Sequence, residues 1–318
     1  MKVDGKQIAS KIFDDLKNRV ARLQAPERSD GGQGEPITPH LAVILVGENP
    51  ASEAYVLQKQ LRGKTIDANI EVLRYSPDIS AQILIDKIRE LNANSQIHGI
   101  IVQRPLPEHI DPDLIENEIA DAKDVDGFKP GSPFYVPLVL AVMRILEEVY
   151  KAQTDSGVVA KAPPQNDVIL ASDEGARPES LVDFLSWLQS KKIVLFGKGS
   201  TAGQPIMDYF KEKGIDFEFI ERTRENPEEV TQKADIIISS VGKKDIIKPT
   251  MIKNGVILIG VGINKDEDGH LYGDYEEDQI KDIASFYTPT PGGVGPVNVA
   301  MLLENLITSA EQSNPLSS

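Results

Sequence analysis

The sequence runs to 318 residues, room for two domains at roughly 100 to 200 residues each. Hydrophobic residues make up 40% and charged residues 26%, ordinary globular values that exclude a wholly disordered chain. Lysine and arginine number 34 against 49 acidic residues, a formal charge of −15 that disfavours nucleic acid as a partner, and the absence of cysteine removes disulfides, zinc-thiolate sites and thiol nucleophiles together.

The opening Met1-Lys2-Val3-Asp4-Gly5-Lys6 has no apolar signal core. The longest greasy run, Phe134 to Leu146, is too short to span a bilayer and carries Arg144, so a soluble cytoplasmic protein with no membrane partner is expected. Ile8, Ile12, Leu16, Val20 and Leu23 recur at about one helical turn among charged residues and predict an amphipathic first helix. Ala25 to Pro39 loses all periodicity and reads as a loop.

Leu41 to Val46, ending at Gly47, and Gly99 to Val102, ending at Gln103-Arg104-Pro105, are short apolar runs that predict buried parallel strands of an α/β fold. Polar residues just after such strands sit where open α/β sheets place ligands. Between them, Tyr55 and Lys59 stand four apart and share one face of a helix, a spacing that on its own favours surface residues. The segment Lys123 to Phe128 offers Asp124 and Asp126 before Gly127 and reads equally as a turn or as a site. Tyr150 to Pro178 mixes polar residues, proline and alanine around one strand candidate, Val168 to Leu170, and reads as a linker or an insertion.

The second half reads as a Rossmann-like unit. Lys192 to Phe196 runs into Gly197-Lys198-Gly199-Ser200-Thr201-Ala202-Gly203 and then a helical segment from Pro205 to Phe210. This glycine spacing is one residue longer than the usual dinucleotide fingerprint, but it lies where a strand turns into a helix, so backbone N–H groups there can approach a pyrophosphate. Phe217 to Ile220, Ile236 to Ser239 and Val256 to Ile259 are further strand candidates. Glu221 suits the ribose hydroxyls of NAD, whereas Lys198, Arg222 and Arg224 suit the 2′-phosphate of NADP; both remain open, with the weight on NADP.

Thr288 to Pro296 concentrates glycine and proline before an apolar helix, Val299 to Ile307, which suggests either a plain hinge or a backbone shaped to line a ligand and able to hold a cis X-Pro bond. The four histidines, His40, His98, His109 and His270, include no pair at metal-ligand spacing, and no Gly-x-Ser-x-Gly nucleophile is present, so no metal centre and no acyl-enzyme are expected.

Together and in this order, Asp4-Gly5-Lys6, Leu41 to Lys59, His98 to Pro107, Lys123 to Phe128, Lys192 to Pro205 and Thr288 to Leu303 closely resemble the bifunctional methylenetetrahydrofolate dehydrogenase/methenyltetrahydrofolate cyclohydrolase family. Glu53 to Lys59 and Pro291 to Pro296 carry the resemblance most specifically. It implies a two-domain α/β protein. A folate-binding catalytic domain would span residues 1–147 and be completed by the C-terminal helix, 297–318; a Rossmann-like NAD(P)-binding domain would span 148–296, with an insertion near 151–178. The active site would lie in the cleft between them, usually in a homodimer.

The implied chemistry is oxidation of 5,10-methylenetetrahydrofolate by NADP, or NAD, to the 5,10-methenyl cation, then hydrolysis to 10-formyltetrahydrofolate. By the resemblance Lys59 is the catalytic lysine, as proton donor or, with a pKa lowered by burial, as base. Tyr55 stands beside the pterin, Gln103 positions Lys59, and Asp126 binds the amino-pyrimidine edge. Pro291, Gly292 and Gly293 belong to the loop meeting folate, while Gly197, Lys198, Gly199, Ser200, Gly203, Arg222 and Ile263 form the cofactor set. Departures from the pattern are Arg104 for the usual Leu, Gly260 for Asp, Phe134 to Pro137 for Pro-Cys-Thr-Pro, and Glu-Arg-Thr-Arg at 221–224. The altered cofactor loop leaves a monofunctional enzyme as an alternative, and a non-catalytic folate-binding protein is a third reading.

Overall fold

The computed structural model describes residues 1–25, 35–157, 178–221, 224–266 and 268–313. The strand candidate Val168 to Leu170 and most of the two insertions lie outside the described residues. The chain divides into two compact units, an N-terminal unit of residues 7–140 with 298–318 and a C-terminal unit of residues 1–6 with 141–297.

The chain opens with α1 (Gly5–Gln24), β1 (His40–Val46), α2 (Pro50–Thr65), β2 (Asn69–Tyr75), α3 (Ala81–Ala93), β3 (Gly99–Val102) and the short α4 (Pro112–Glu116). The three strands form a parallel sheet in the order β2-β1-β3, with Leu41 opposite Ile70 on one side and Gly99 on the other. Every residue of β1 after His40 is buried, as expected of a central strand covered on both faces. Ala42, Ile44 and Val46 pack with Ile100 and Val102 of β3, with Leu84 and Ile88 of α3, and with Ile115 of α4. β2 escapes a reading based on apolar runs because it is an edge strand in which polar Glu71 and Arg74 interrupt Ile70, Val72 and Leu73.

The remainder is α5 (Pro137–Asp155), α6 (Pro178–Gln189), β4 (Ile193–Phe196), α7 (Gly203–Glu212), β5 (Phe217–Ile220), α8 (Glu228–Thr231), β6 (Ile236–Ser239), β7 (Ile257–Gly260), β8 (Asn264–Lys265), β9 (Leu271–Tyr272), α9 (Glu277–Ile280), β10 (Phe286–Tyr287) and α10 (Val294–Gln312). Five parallel strands run in the order β10-β7-β6-β4-β5, so the crossover from β5 back to β6 lies beside β4, the Rossmann-like arrangement. The strand predicted over Val256 to Ile259 is displaced by one residue, and the greasy run from Phe134 becomes α5, which continues to Asp155 inside the stretch read as a linker.

The last helix begins earlier than its apolar run. Val294, Gly295 and Pro296 form its first turn, where a proline is tolerated because the N–H it lacks has no intrahelical acceptor. From Asn298 onward α10 belongs to the N-terminal unit: Asn305 Nδ2 donates to the carbonyls of Val125 (2.9 Å) and Tyr135 (3.0 Å), and Ser309 Oγ to those of His98 (2.6 Å) and Ala122 (2.7 Å). Arg19 of α1 joins the same helix through Glu311 and Thr308. Residues 1–6 go with the other unit, where the Val3 amide donates to the Tyr287 carbonyl at 2.8 Å. No helix among the described residues is long and apolar enough to cross a membrane.

His98 is 5% exposed and its Nδ1 accepts the His40 amide at 3.2 Å, so the ring is held neutral. Burial first, then the neighbouring His40 and Lys123, push its pKa down to about 4. Because the unfolded ring protonates first, the stability this group supplies is complete above pH 6.5 and is lost as pH falls toward 4, by about 3 kcal/mol. Urea midpoints measured from pH 7 to pH 4 are expected to fall more steeply for the wild-type chain than for His98→Asn; parallel curves would contradict this wiring.

Candidate functional site

Helix α2 begins at an N-cap, Asn49, whose side-chain oxygen accepts the amides of Ala51 and Ser52 at 3.0 Å each, with Pro50 in the first turn. Its buried line is Ser52, Val56, Lys59 and Gly63. Gly63 sets how closely the helix can lie on β2, since an added Cβ would sit 2.3 Å from Ile70. A lysine in that line is drawn inward with it, and Lys59 is 9% exposed.

Gln103 meets this lysine from the end of β3. Its amide continues the strand ladder to the Ile44 carbonyl (2.9 Å), and its side-chain oxygen accepts from Lys59 Nζ at 2.9 Å. Its Nε2 donates to the Arg104 carbonyl at 2.9 Å, which fixes the amide with oxygen toward the lysine. Burial lowers the Lys59 pKa, and Asp126 opposes that shift without reversing it. Burial raises the Asp126 pKa, against the pull of Lys59 and then Arg104. The three groups therefore form a desolvated, electrostatically coupled set. Tyr55 occupies the same face of α2 one turn earlier, 37% exposed, with its hydroxyl pKa raised by burial.

In the segment Lys123 to Phe128 the two carboxylates have different surroundings. Asp124 organises the turn: it is 2% exposed and accepts the amides of Gly127 (3.2 Å) and Lys129 (3.1 Å). Lys123 donates to the carbonyls of Leu91, Asn92 and Asn94 at the end of α3. Gly127 has φ +68°, and a Cβ there would lie 2.6 Å from the Phe134 carbonyl oxygen. Asp126 is left to face the Lys59 and Arg104 charges.

In the C-terminal unit β4 leads directly into Gly197, Lys198, Gly199 and Ser200, and α7 starts at Gly203. Gly197 has φ +88°, and a Cβ on Gly203 would fall 2.0 Å from the Gly197 oxygen, so both glycines are demanded by the turn itself. Gly199 is different, because an added Cβ would meet no heavy atom within 4 Å. The fold does not require glycine there; close backbone approach by a ligand would. The α7 N-cap, Ala202, supplies no side-chain acceptor, and in the first turn Pro205 has no N–H while the Gln204 amide donates to the Gly199 carbonyl at 3.1 Å, so the positive end of the helix is offered chiefly through the Gly203 backbone. This loop fits a dinucleotide pyrophosphate.

Lys198 Nζ and Glu221 Oε1 pair at 3.0 Å with both side chains exposed, so the cation and the acid that point to different dinucleotides are partners. Arg224 pairs with Glu218, and Arg222 lies outside the described residues. Ile263 is 40% exposed beside Gly242. Sequence reasoning missed Asp274, which is fully buried and accepts Ser239 Oγ (2.7 Å) and the amides of Val241 (3.1 Å) and Lys243 (2.9 Å), pinning the loop after β6. Ser240 Oγ in turn donates to the Phe196 carbonyl at 3.0 Å, next to Gly197.

Pro291, Gly292 and Gly293 follow a cis Thr290-Pro291 bond, and Gly292 has φ +104°. The turn is held by Glu277, which accepts the Thr290 amide, and by Gly5, whose added Cβ would lie 1.8 Å from the Gly293 oxygen. Tyr275 donates to the Thr288 carbonyl at 2.6 Å, and its ring stands 3.1 Å from where a Cβ on Gly260 would be, taking the room of a side chain at that position. The site residues named from sequence are thus divided: Tyr55, Lys59, Gln103 and Asp126 are in the N-terminal unit, and the glycine loops are in the other.

The two glycines of the β4 turn make a paired prediction. Gly203→Ala overpacks the turn and is expected to lower Tm by several degrees, a cost of about 1–3 kcal/mol. Gly199→Ala is expected to leave Tm within a degree or so; equal losses in calorimetry would contradict the packing described.

The family model described as "Tetrahydrofolate dehydrogenase/cyclohydrolase, catalytic domain" matches residues 3–126, and the one described as the NAD(P)-binding domain of the same family matches residues 179–314. The chain is similar to the bifunctional protein FolD of Lactococcus lactis, 33% identical with 98% of this chain and 97% of that one covered. It is also similar to the crystal structure of the bifunctional FolD methylenetetrahydrofolate dehydrogenase/cyclohydrolase from Campylobacter jejuni, 32% identical at a TM-score of 0.80 over 98% of this chain and 99% of that one. A methylenetetrahydrofolate dehydrogenase from the silkworm Bombyx mori superposes at a TM-score of 0.77 with 26% identity over 98% of each chain. The chain belongs to the tetrahydrofolate dehydrogenase/cyclohydrolase family.

Proposed function

We propose that this chain oxidises 5,10-methylenetetrahydrofolate with NADP and hydrolyses the resulting methenyl cation to 10-formyltetrahydrofolate. The observation that carries the reading is the lysine drawn out of water at Gln103 and Asp126, in a chain whose family performs this chemistry.

Hydrolysis begins with water adding to the cationic one-carbon centre and losing a proton. A lysine whose pKa is lowered by burial holds a larger neutral fraction near neutrality and can take that proton at Nζ. The resulting ammonium can then return it to the ring nitrogen as the carbon–nitrogen bond breaks and the hydroxyl of the adduct releases its proton to water to become the formyl oxygen, so base and donor roles fall to one atom at successive moments. Gln103 fixes where Nζ sits, because its amide is itself tied to the Arg104 carbonyl. Asp126, when ionised, complements the N–H donors of an amino-pyrimidine edge. Tyr55, one turn along α2, offers a ring face and a hydroxyl to the pterin.

Gly197, Lys198, Gly199, Ser200 and Gly203 would hold NADP, which when bound supplies the hydride acceptor. Lys198 would meet the extra phosphate of NADP by exchanging its partner Glu221 for a second anion. Residues 7–140 with 298–318 would be the folate-binding unit. A cytoplasmic homodimer completes the reading.

The test is a two-wavelength assay with methylenetetrahydrofolate and either NADP or NAD, following nicotinamide reduction and methenyl decay separately. The expected result is reduction with NADP in preference to NAD, and hydrolysis that disappears in Lys59→Met, falling by at least about 100-fold, while folate binding is retained. In the wild-type protein the acid limb of hydrolysis, where Lys59 becomes protonated, should lie below the pH at which an ordinary lysine titrates. Hydrolysis at the wild-type rate in Lys59→Met would overturn the assignment, and folate binding without either turnover would mark a non-catalytic scaffold.

A further inference from the structure

Arg104 is placed unlike any other residue near this site. Its carbonyl oxygen accepts Gln103 Nε2 at 2.9 Å and Ser52 Oγ of α2 at 3.2 Å. Its guanidinium forms a two-pronged pair with Glu116 of α4, Nε to Oε1 at 2.7 Å and Nη2 to Oε2 at 2.5 Å, with Asp113 at 3.7 Å from the same nitrogen. The guanidinium carbon lies over the Phe128 ring, 4.8 Å from its centroid, two residues beyond Asp126.

We propose that Arg104 is the positioning residue of the folate site: a single side chain and its own carbonyl lock the Gln103-bearing strand end, the Lys59-bearing helix and the Asp126-bearing turn into one register. The inference rests on the reading of the site given above.

The geometry favours positioning over ordinary surface pairing. Side-chain exposures of 19% for Arg104 and 8% for Glu116 put the pair largely out of water, where a bidentate guanidinium–carboxylate contact is directional and little screened by salt. The cation–π contact with Phe128 adds a third point of attachment, on the turn that carries Asp126. A lysine could supply the charge but neither the fork nor the stack.

Arg104 also brings a second cation to Asp126. The groups that act on that carboxylate are Lys59 from α2 and Arg104 from the end of β3, both favouring ionisation. Asp113 and Glu116 of α4 and Asp124 of the same turn are the surrounding acids. Removing the Arg104 charge therefore makes Asp126 harder to ionise.

The experiment uses the full-length protein and three chains: wild type, Arg104→Lys, and the double variant Arg104→Met with Glu116→Gln, which leaves no stranded buried charge. Steady-state KM is measured for the methylene substrate and for NADP from pH 5.5 to pH 8.5, with the methenyl hydrolysis rate alongside. In the double variant the folate KM is expected to rise about tenfold, its acid limb to move to higher pH, and hydrolysis to slow, while the NADP KM stays put. Arg104→Lys keeps the charge, so its acid limb stays in place while its folate KM rises by a smaller factor, roughly threefold. An unchanged folate KM and pH limb in both variants, or an NADP KM that rises in step with the folate KM, would overturn the proposal. Wild-type protein without turnover would instead overturn the functional reading, so the two failures are distinct.

Discussion

Holding a lysine ammonium out of water beside a carboxylate is costly for both groups, and the N-terminal unit is organised around meeting that cost. For Lys59 and Asp126 alike the desolvation effect outweighs the mutual attraction, so each is displaced toward its neutral form despite the other. Buried charges that attract one another without direct contact commonly behave this way, the loss of hydration exceeding the Coulombic return. That displacement suits the base role proposed for Lys59. A lysine kept fully charged by a strong partner could not accept a proton near neutrality, and one without any partner would not stay in place.

The supporting structure explains how such a pair persists. Gly63 lets α2 approach β2 closely, Asn49 caps the start of the helix, and Gln103 arrives on the end of a strand that is buried throughout. Asp124 spends its carboxylate on the backbone of the turn that carries Asp126. In the C-terminal unit the logic is backbone shape in place of charge: Gly197 and Gly203 interlock, and Asp274 pins the neighbouring loop from beneath.

Much of this was readable from residue order. Apolar runs located β1, β3, β4 and β6, because central parallel strands are buried on both faces, and the strand-to-helix glycines marked the β4 turn. Tyr55 and Lys59 fell on one helix face by spacing alone, although spacing favoured the surface, and Lys59 lies inside on the buried line of α2 with Gln103 as its partner. Other features left no local signal. β2 is an edge strand whose apolar residues are interrupted by Glu71 and Arg74, and α10 starts within a glycine and proline run that reads as a loop. Arg104 with Glu116, and Asp274 with Val241, join positions far apart in the sequence whose partnership exists only once the chain has folded.

The Lys59 amine can be followed by itself, through the pH dependence of its ¹³Cε resonance in protein labelled at lysine and assigned with Lys59→Met. The account predicts a midpoint below 10.5 in the wild-type chain, and a still lower one in Asp126→Asn, where the opposing carboxylate charge is gone. A midpoint at or above the ordinary lysine value, or an upward move on removing the Asp126 charge, would contradict it.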